Sequence, residues 1–154
     1  MLLNLKQVQA LDLILNILNS RYSYSSNPLK LVVKINDSLW KGNFVNFSSD
    51  DYYLHQEYIN SFGFIANESL EFEDVITQLS NLKLNKYKNI KPSTLHLLLI
   101  DLVNIIKDLD TSNIKLNLNS ILYNAVNLEG SISLPFILLD DNSKFEVISI
   151  VESD

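Results

Sequence analysis

Hydrophobic periodicity and turn placement predict an α+β fold: an N-terminal helix, a β-hairpin, central helices and a C-terminal β-hairpin, packed as a single domain over residues 1–154. Three observations carry this. Apolar residues recur at three- and four-residue steps near the N-terminus and again over residues 94–109. Alternating apolar runs flank Asn36-Asp37-Ser38 and Asp140-Asp141-Asn142-Ser143, which are turn-forming sequences. The strand patterns lie towards the two ends with helical ones between them, a segregation that suits α+β rather than alternating α/β chains.

Residues 2–20 read as an amphipathic helix with Leu5, Val8, Leu11, Leu15 and Leu18 on one stripe. Tyr22 to Pro28 is a Ser-rich loop. Leu29 to Phe47 reads as a hairpin, with Leu31, Val33 and Ile35 alternating along its first strand. Gly42, in the second strand, marks a bulge or a close backbone approach. Ser48 or Ser49 can cap a helix from Asp50 to about Ser61, closed by Gly63. A shorter helix is expected over Phe72 to Leu82, and Lys83 to Lys91 reads as a basic linker. Pro92 and Ser93 open the strongest helix, whose Leu95, Leu98, Leu99, Leu102, Ile105, Ile106 and Leu109 predict a central position. Residues 114–128 divide into a strand-like first half and a helix-like second half, 121–128. Leu134 to Leu139 and Phe145 to Val151 complete the terminal hairpin.

With 154 residues the chain can bury a core without a disulfide or metal staple. Zero cysteines exclude a disulfide framework, a thiol nucleophile, Cys-ligated zinc and iron–sulfur clusters. Eighteen acids against twelve bases argue against nucleic acid as partner. The N-terminal apolar stretch is interrupted by Asp12 and Asn16 and lacks a cationic start and a small-residue cleavage site, so no export signal is expected. The most apolar stretch, Leu95 to Ile106, is too short and too polar to span a bilayer. A cytoplasmic protein without membrane attachment is the expectation.

Catalytic signatures are sparse. His55-Gln56-Glu57 has the H-x-E spacing of zinc deaminases, but that chemistry needs two thiolates. The positions four after His55 and His96 are Ile59 and Ile100, so no helical metal pair forms. Three isolated glycines cannot build a phosphate-binding loop, and no G-x-S-x-G elbow exists. Asp140-Asp141 reads as a turn, and His96 as a core or edge residue with a hydrogen-bond partner. Neither an enzyme nor a cofactor or metal site is expected.

The informative feature is charge segregation. The 41 residues between Lys41 and Lys83 contain no Lys or Arg and carry Asp50, Asp51, Glu57, Glu68, Glu71, Glu73 and Asp74. The rest of the chain sums to +1, so the whole net charge of −6 originates there. Eight of the fifteen aromatic residues share this segment. Of these, Phe44, Phe62, Phe64 and Phe72 read as core. Tyr52, Tyr53 and Tyr58 beside carboxylates suit an interface, where tyrosines give contact area and acids steer a cationic partner.

Within this segment Tyr53-Leu54-His55-Gln56-Glu57-Tyr58 resembles the Tyr-Phe-His-Gln-Asp-Trp signature of contact-dependent growth inhibition immunity proteins. The acids from Glu68 to Asp74 and the helix pattern Val75 to Leu79 resemble that family's layout after its motif. Tyr53, His55 and Gln56 are the identical positions, and the likeness covers about 30 of the 154 residues. The resemblance implies a protein that binds and neutralises a cognate toxin domain, often a nuclease. Asp50, Asp51, Glu57, Glu68, Glu71, Glu73 and Asp74 would then face a cationic toxin, Tyr52, Tyr53 and Tyr58 would anchor it, and His55 and Gln56 would contact it or hold the local fold. A secretion chaperone or adaptor, for which a homodimer is compatible, and a phage-borne inhibitor of a defence nuclease are the alternatives.

Overall fold

The computed structural model describes residues 2–21, 28–45, 69–70, 84–88, 90–108, 116–130 and 132–152. The helices expected over 50–61 and 72–82 lie outside these residues.

The chain opens with a short strand, β1 (Leu2–Asn4), and not directly with the helix. Helix α1 (Leu5–Arg21) starts only after Asn4 because a reciprocal cap forms there. Asn4 Oδ1 accepts the Gln7 N–H at 2.9 Å, and Gln7 Oε1 accepts the Asn4 N–H at 3.0 Å. At the other end the Asn19 side chain pairs with both backbone groups of Leu29, donating to its O at 3.0 Å and accepting from its N at 2.9 Å. The helix is thereby fastened to the first long strand.

The predicted hairpin is present as β2 (Leu29–Ile35) and β3 (Ser38–Asn43). Asn36 and Asp37 both have positive φ, 49° and 67°, the backbone of a two-residue turn matched to strand twist. Short elements follow: β4 (Ser69–Leu70) pairs with β5 (Leu116–Asn117). The stretch read as a basic linker contains a 3₁₀ turn at Leu84–Tyr87. Helix α2 (Leu95–Asp108) confirms the helix predicted over about residues 94–109. It is not enclosed on all sides: Leu98, Leu99, Leu102, Val103 and Ile106 are buried, whereas Leu97 and Ile100 are 56% and 45% exposed. It packs on α1 and on the last strand from one side.

Two expectations near the C-terminus are corrected. Residues 121–128 are not helical; β6 (Ile121–Asn127) is a strand. Residues beyond it form β7 (Ser133–Leu138) and β8 (Lys144–Glu152), but these two do not pair as a hairpin. The sheet order is β1-β8-β2-β3-β6-β7, every neighbour antiparallel. The Asp140–Ser143 turn does form, with Ser143 N–H donating to Asp140 O at 3.1 Å. Turn chemistry reverses the chain locally; it does not choose the partner strand.

That connection forces the sheet to coil. With four antiparallel steps between them, β7 and β8 run in the same direction. On a flat sheet Leu138 and Lys144 would therefore lie at opposite strand ends and about 19 Å apart sideways. The intervening link, even fully extended, reaches about 20 Å, and the turn shortens it. Two bulges supply the bend. Trp40 and Lys41 pair with Asn127 and Val126, but Asn43 pairs with Tyr123, so β6 carries an extra residue opposite Gly42. Val32 pairs with Ser149 but Val33 with Val147, which leaves Ile148 as the extra residue of β8. Ile148 is accordingly 44% exposed while Phe145, Val147 and Ile150 are buried.

One contiguous cluster of buried residues draws on both helices and on β1, β2, β6 and β8. Phe44, read as core, is fully buried and meets Phe145 edge to face at 6.2 Å. Ile121 and Tyr123 form a second small cluster with Phe136. The bulge explains the division: Leu122 and Ala125 face the main core although they are three residues apart.

Candidate functional site

The residues proposed to contact a partner (Asp50, Asp51, Tyr52, Tyr53, His55, Gln56, Glu57, Tyr58, Glu68, Glu71, Glu73 and Asp74) all lie outside the described residues, as do Phe62, Phe64 and Phe72. The structure does describe how the acidic segment is attached at both ends.

At its beginning, β3 runs into Phe44 and Val45, both buried. Their N–H groups donate to a single oxygen, Asp12 Oδ2, at 2.9 and 3.1 Å. Asp12 sits on the core face of α1 and is 2% exposed. Burial pushes its carboxyl from 3.8 up to about 7, against the two backbone donors, Lys30 and Asn16, which act in the opposite direction. Lys30, half-buried on β2, is pushed down by burial and by Lys41, and drawn up by Asp12. In the sequence Asp12 registers only as an interruption of the N-terminal apolar stretch. Its signal was an acid on the core face of an apolar helix, one turn from Val8 and Leu15.

Beyond Ser69 and Leu70, which pair with Asn117 and Leu116, the chain reaches a second fastening. Tyr87 is buried and its hydroxyl donates to Asp101 Oδ2 on α2. Lys86 Nζ lies 3.2 Å from the same oxygen and 5.1 Å from the centre of the Tyr87 ring. The Tyr87 hydroxyl, followed by Lys86, holds the Asp101 carboxyl below its ordinary value. Lys86 is thus an engaged residue and not part of a free basic linker.

A groove of about 400 Å³ opens where the coiled sheet brings β1 and the start of α1 near the β5–β6 link and the 140–143 turn. Several of its polar side chains are engaged in hydrogen bonds. Gln9 Nε2 donates to Asn119 O at 3.0 Å, and the Ser120 hydroxyl donates to Asp141. These contacts pin the seam of the sheet. Asp141 belongs to a turn, as expected of the Asp140-Asp141 pair. His96 is exposed on α2 and makes no hydrogen bond among the described residues, so the partner expected for it is not found there. Among the described residues no three His or carboxylate side chains group as metal ligands, and no helix is long and apolar enough to cross a membrane.

Comparison with known proteins gives no match: no family model fits the chain, and no curated protein or solved structure is recognisably similar to it.

Proposed function

We propose that this chain is a non-catalytic binding protein of the immunity type, which neutralises a cationic toxin domain, of the nuclease kind, through its acidic, tyrosine-rich segment. The observation that carries the reading is the segregation of charge: seven carboxylates and no Lys or Arg between Lys41 and Lys83, in a chain otherwise close to neutral. A nuclease must present cationic surface to phosphates. A compact run of carboxylates can steer towards that surface and cover it, and steering raises association rates by orders of magnitude at low salt. The Tyr53-Leu54-His55-Gln56-Glu57-Tyr58 resemblance points the same way. A cytoplasmic location fits an inhibitor of a toxin acting on the cell's own nucleic acid.

The test is a tagged pull-down from the native host lysate, washed at low and then high salt, followed by affinity measurement with the identified partner. Asp50→Lys with Glu57→Lys is expected to weaken binding at least tenfold and leave the thermal midpoint within about 2 °C, a surface-substitution range. A basic folded domain lost on charge reversal supports the reading. An effector held through a disordered segment would replace it with the chaperone reading, for which the uncharged edge strand β7, with Leu134 and Leu138 exposed, is the available surface. A variant that unfolds would show the acids to be structural.

A further inference from the structure

An ionised carboxylate deprived of water needs several partners to stay charged. Asp12 has two backbone donors, and both converge on one oxygen, Oδ2. That is the pattern a neutral carboxyl can also satisfy: the carbonyl oxygen accepts both N–H groups through its two lone pairs, and the other oxygen carries the proton. Asn16 lies one helical turn away and acts on the carboxyl. Its Nδ2 is buried and makes no hydrogen bond of good geometry. Turned over, the same amide presents its oxygen to the carboxyl proton. Among the described residues, the charged groups that act on this site are Lys30 of β2, with Lys41 of β3 acting on Lys30 in turn. The residues that α2 and β8 bury in the shared core are apolar: Leu98, Leu102 and Ile106 from one, Phe145, Val147 and Ile150 from the other.

We propose that Asp12 is a proton-operated latch at the root of the acidic segment: protonated, it holds Phe44 and Val45 firmly against α1, and on losing its proton it holds them less firmly. The latch stands without the binding reading; only its consequence, a pH-dependent presentation of the segment to a partner, rests on that reading. The sign follows from linkage. Any opening that exposes Asp12 to water lets it ionise at its ordinary value of 3.8, whereas in the closed state it keeps its proton to about 7. Between these values the closed state binds the extra proton, so opening becomes easier as pH rises. Above about 7 both states are ionised and the dependence ends. The largest expected change in the opening equilibrium is about a thousandfold.

The experiment is amide hydrogen exchange on the full chain between pH 5 and 8.5, corrected for intrinsic exchange. Protection of the Phe44 and Val45 amides is expected to fall at least tenfold between pH 5 and 7.5 and then level off. The amides of Leu31 and Leu102 should fall by clearly less. In Asp12→Asn the fall should vanish. Flat or rising protection in the wild type overturns the latch. So does an equal fall at Leu31 and Leu102, which would make Asp12 a determinant of the whole fold, and so does an unchanged fall in Asp12→Asn. Should that variant not fold, the wild-type Asp12 carboxyl carbon is followed by NMR. A midpoint near 7 supports the proposal and one near 4 overturns it.

Discussion

Gly42→Ala tests whether the β3–β6 bulge is as tight as it looks. A Cβ added at Gly42 would lie 2.7 Å from Tyr123 O, 2.9 Å from Leu122 Cδ1 and 3.0 Å from Leu122 Cγ. The leucine can rotate. The carbonyl cannot, because Tyr123 is paired with Asn43 on one side and with Phe136 on the other. Relief therefore requires β6 to move away from β3 by about half an ångström, an overpacking cost of about 1–3 kcal/mol. Against this, alanine lowers the entropy of the unfolded chain, which offsets about 0.4–1 kcal/mol. The net expectation is a loss of roughly 1–2 kcal/mol. For a domain of this size that lowers the thermal midpoint by about 2–8 °C. Gly130→Ala is the internal control. Its added Cβ meets nothing nearer than Asn127 Oδ1 at 3.7 Å, an ordinary contact. The backbone bond from Gly130 N to Asn127 Oδ1 at 2.8 Å is untouched. Gly130→Ala should be neutral or gain a few tenths of a kcal/mol. Both variants are compared by urea unfolding followed by circular dichroism. Equal stability of Gly42→Ala and wild type, or an equal loss in both variants, would refute the tight approach and with it the register shift.

The remaining predictions concern a turn and a titration. Asp37→Gly should stabilise the chain by about 0.5–1 kcal/mol, because glycine adopts the positive φ of that position without steric cost. The lost Lys34–Asp37 pair, at 3.9 Å with Asp37 almost wholly exposed, contributes little; a lower midpoint would show that the turn is held differently. Tyr87→Phe should raise the Asp101 carboxyl towards its ordinary value, measured by NMR titration, since the Tyr87 hydroxyl is the main cause of its depression. A depressed folded value gives stability that is present above the unfolded value and lost as pH falls through the folded one. The variant should therefore lose less of its own stability on acidification than the wild type loses.

The elements that could be read from the sequence are those whose signals are local. The Asn36-Asp37 turn, helix α1 beyond its first residues, and helix α2 follow from turn chemistry and period. The Asn4–Gln7 cap that places the helix start at Leu5 was not read from the sequence. What misled was non-local. In β6 the bulge puts Leu122 and Ala125 on one face and Ile121 and Tyr123 on the other. The apolar positions 121, 122, 125 and 126 therefore imitate helical spacing in a strand. In β8 the extra residue Ile148 breaks alternation in the same way. The pairing of β8 with β1 and β2, over its hairpin neighbour β7, depends on contacts more than a hundred residues away in sequence. The acidic segment was legible as composition; its fastening by Asp12 was legible only as an acid on an apolar stripe.

The two fastenings bear on why charge reversal in the segment should spare the fold. A run of carboxylates repels itself and gains nothing from burial. A fold that relied on those acids to attach the segment would lose stability whenever they met a cation elsewhere. Among the described residues, the carboxylates that do the attaching come from outside the segment. Asp12 of α1 holds Phe44 and Val45 at one end, and Asp101 of α2 holds Tyr87 and Lys86 at the other. The two differ in kind. Asp12 is sealed in the core and drawn towards neutrality, whereas Asp101 lies at the surface and is held ionised. A rise in pH towards about 7 should therefore weaken the first attachment, and acid the second. At about pH 5 both hold, and at that pH Asp50→Lys with Glu57→Lys can be read as a change in binding, without a hidden change in attachment.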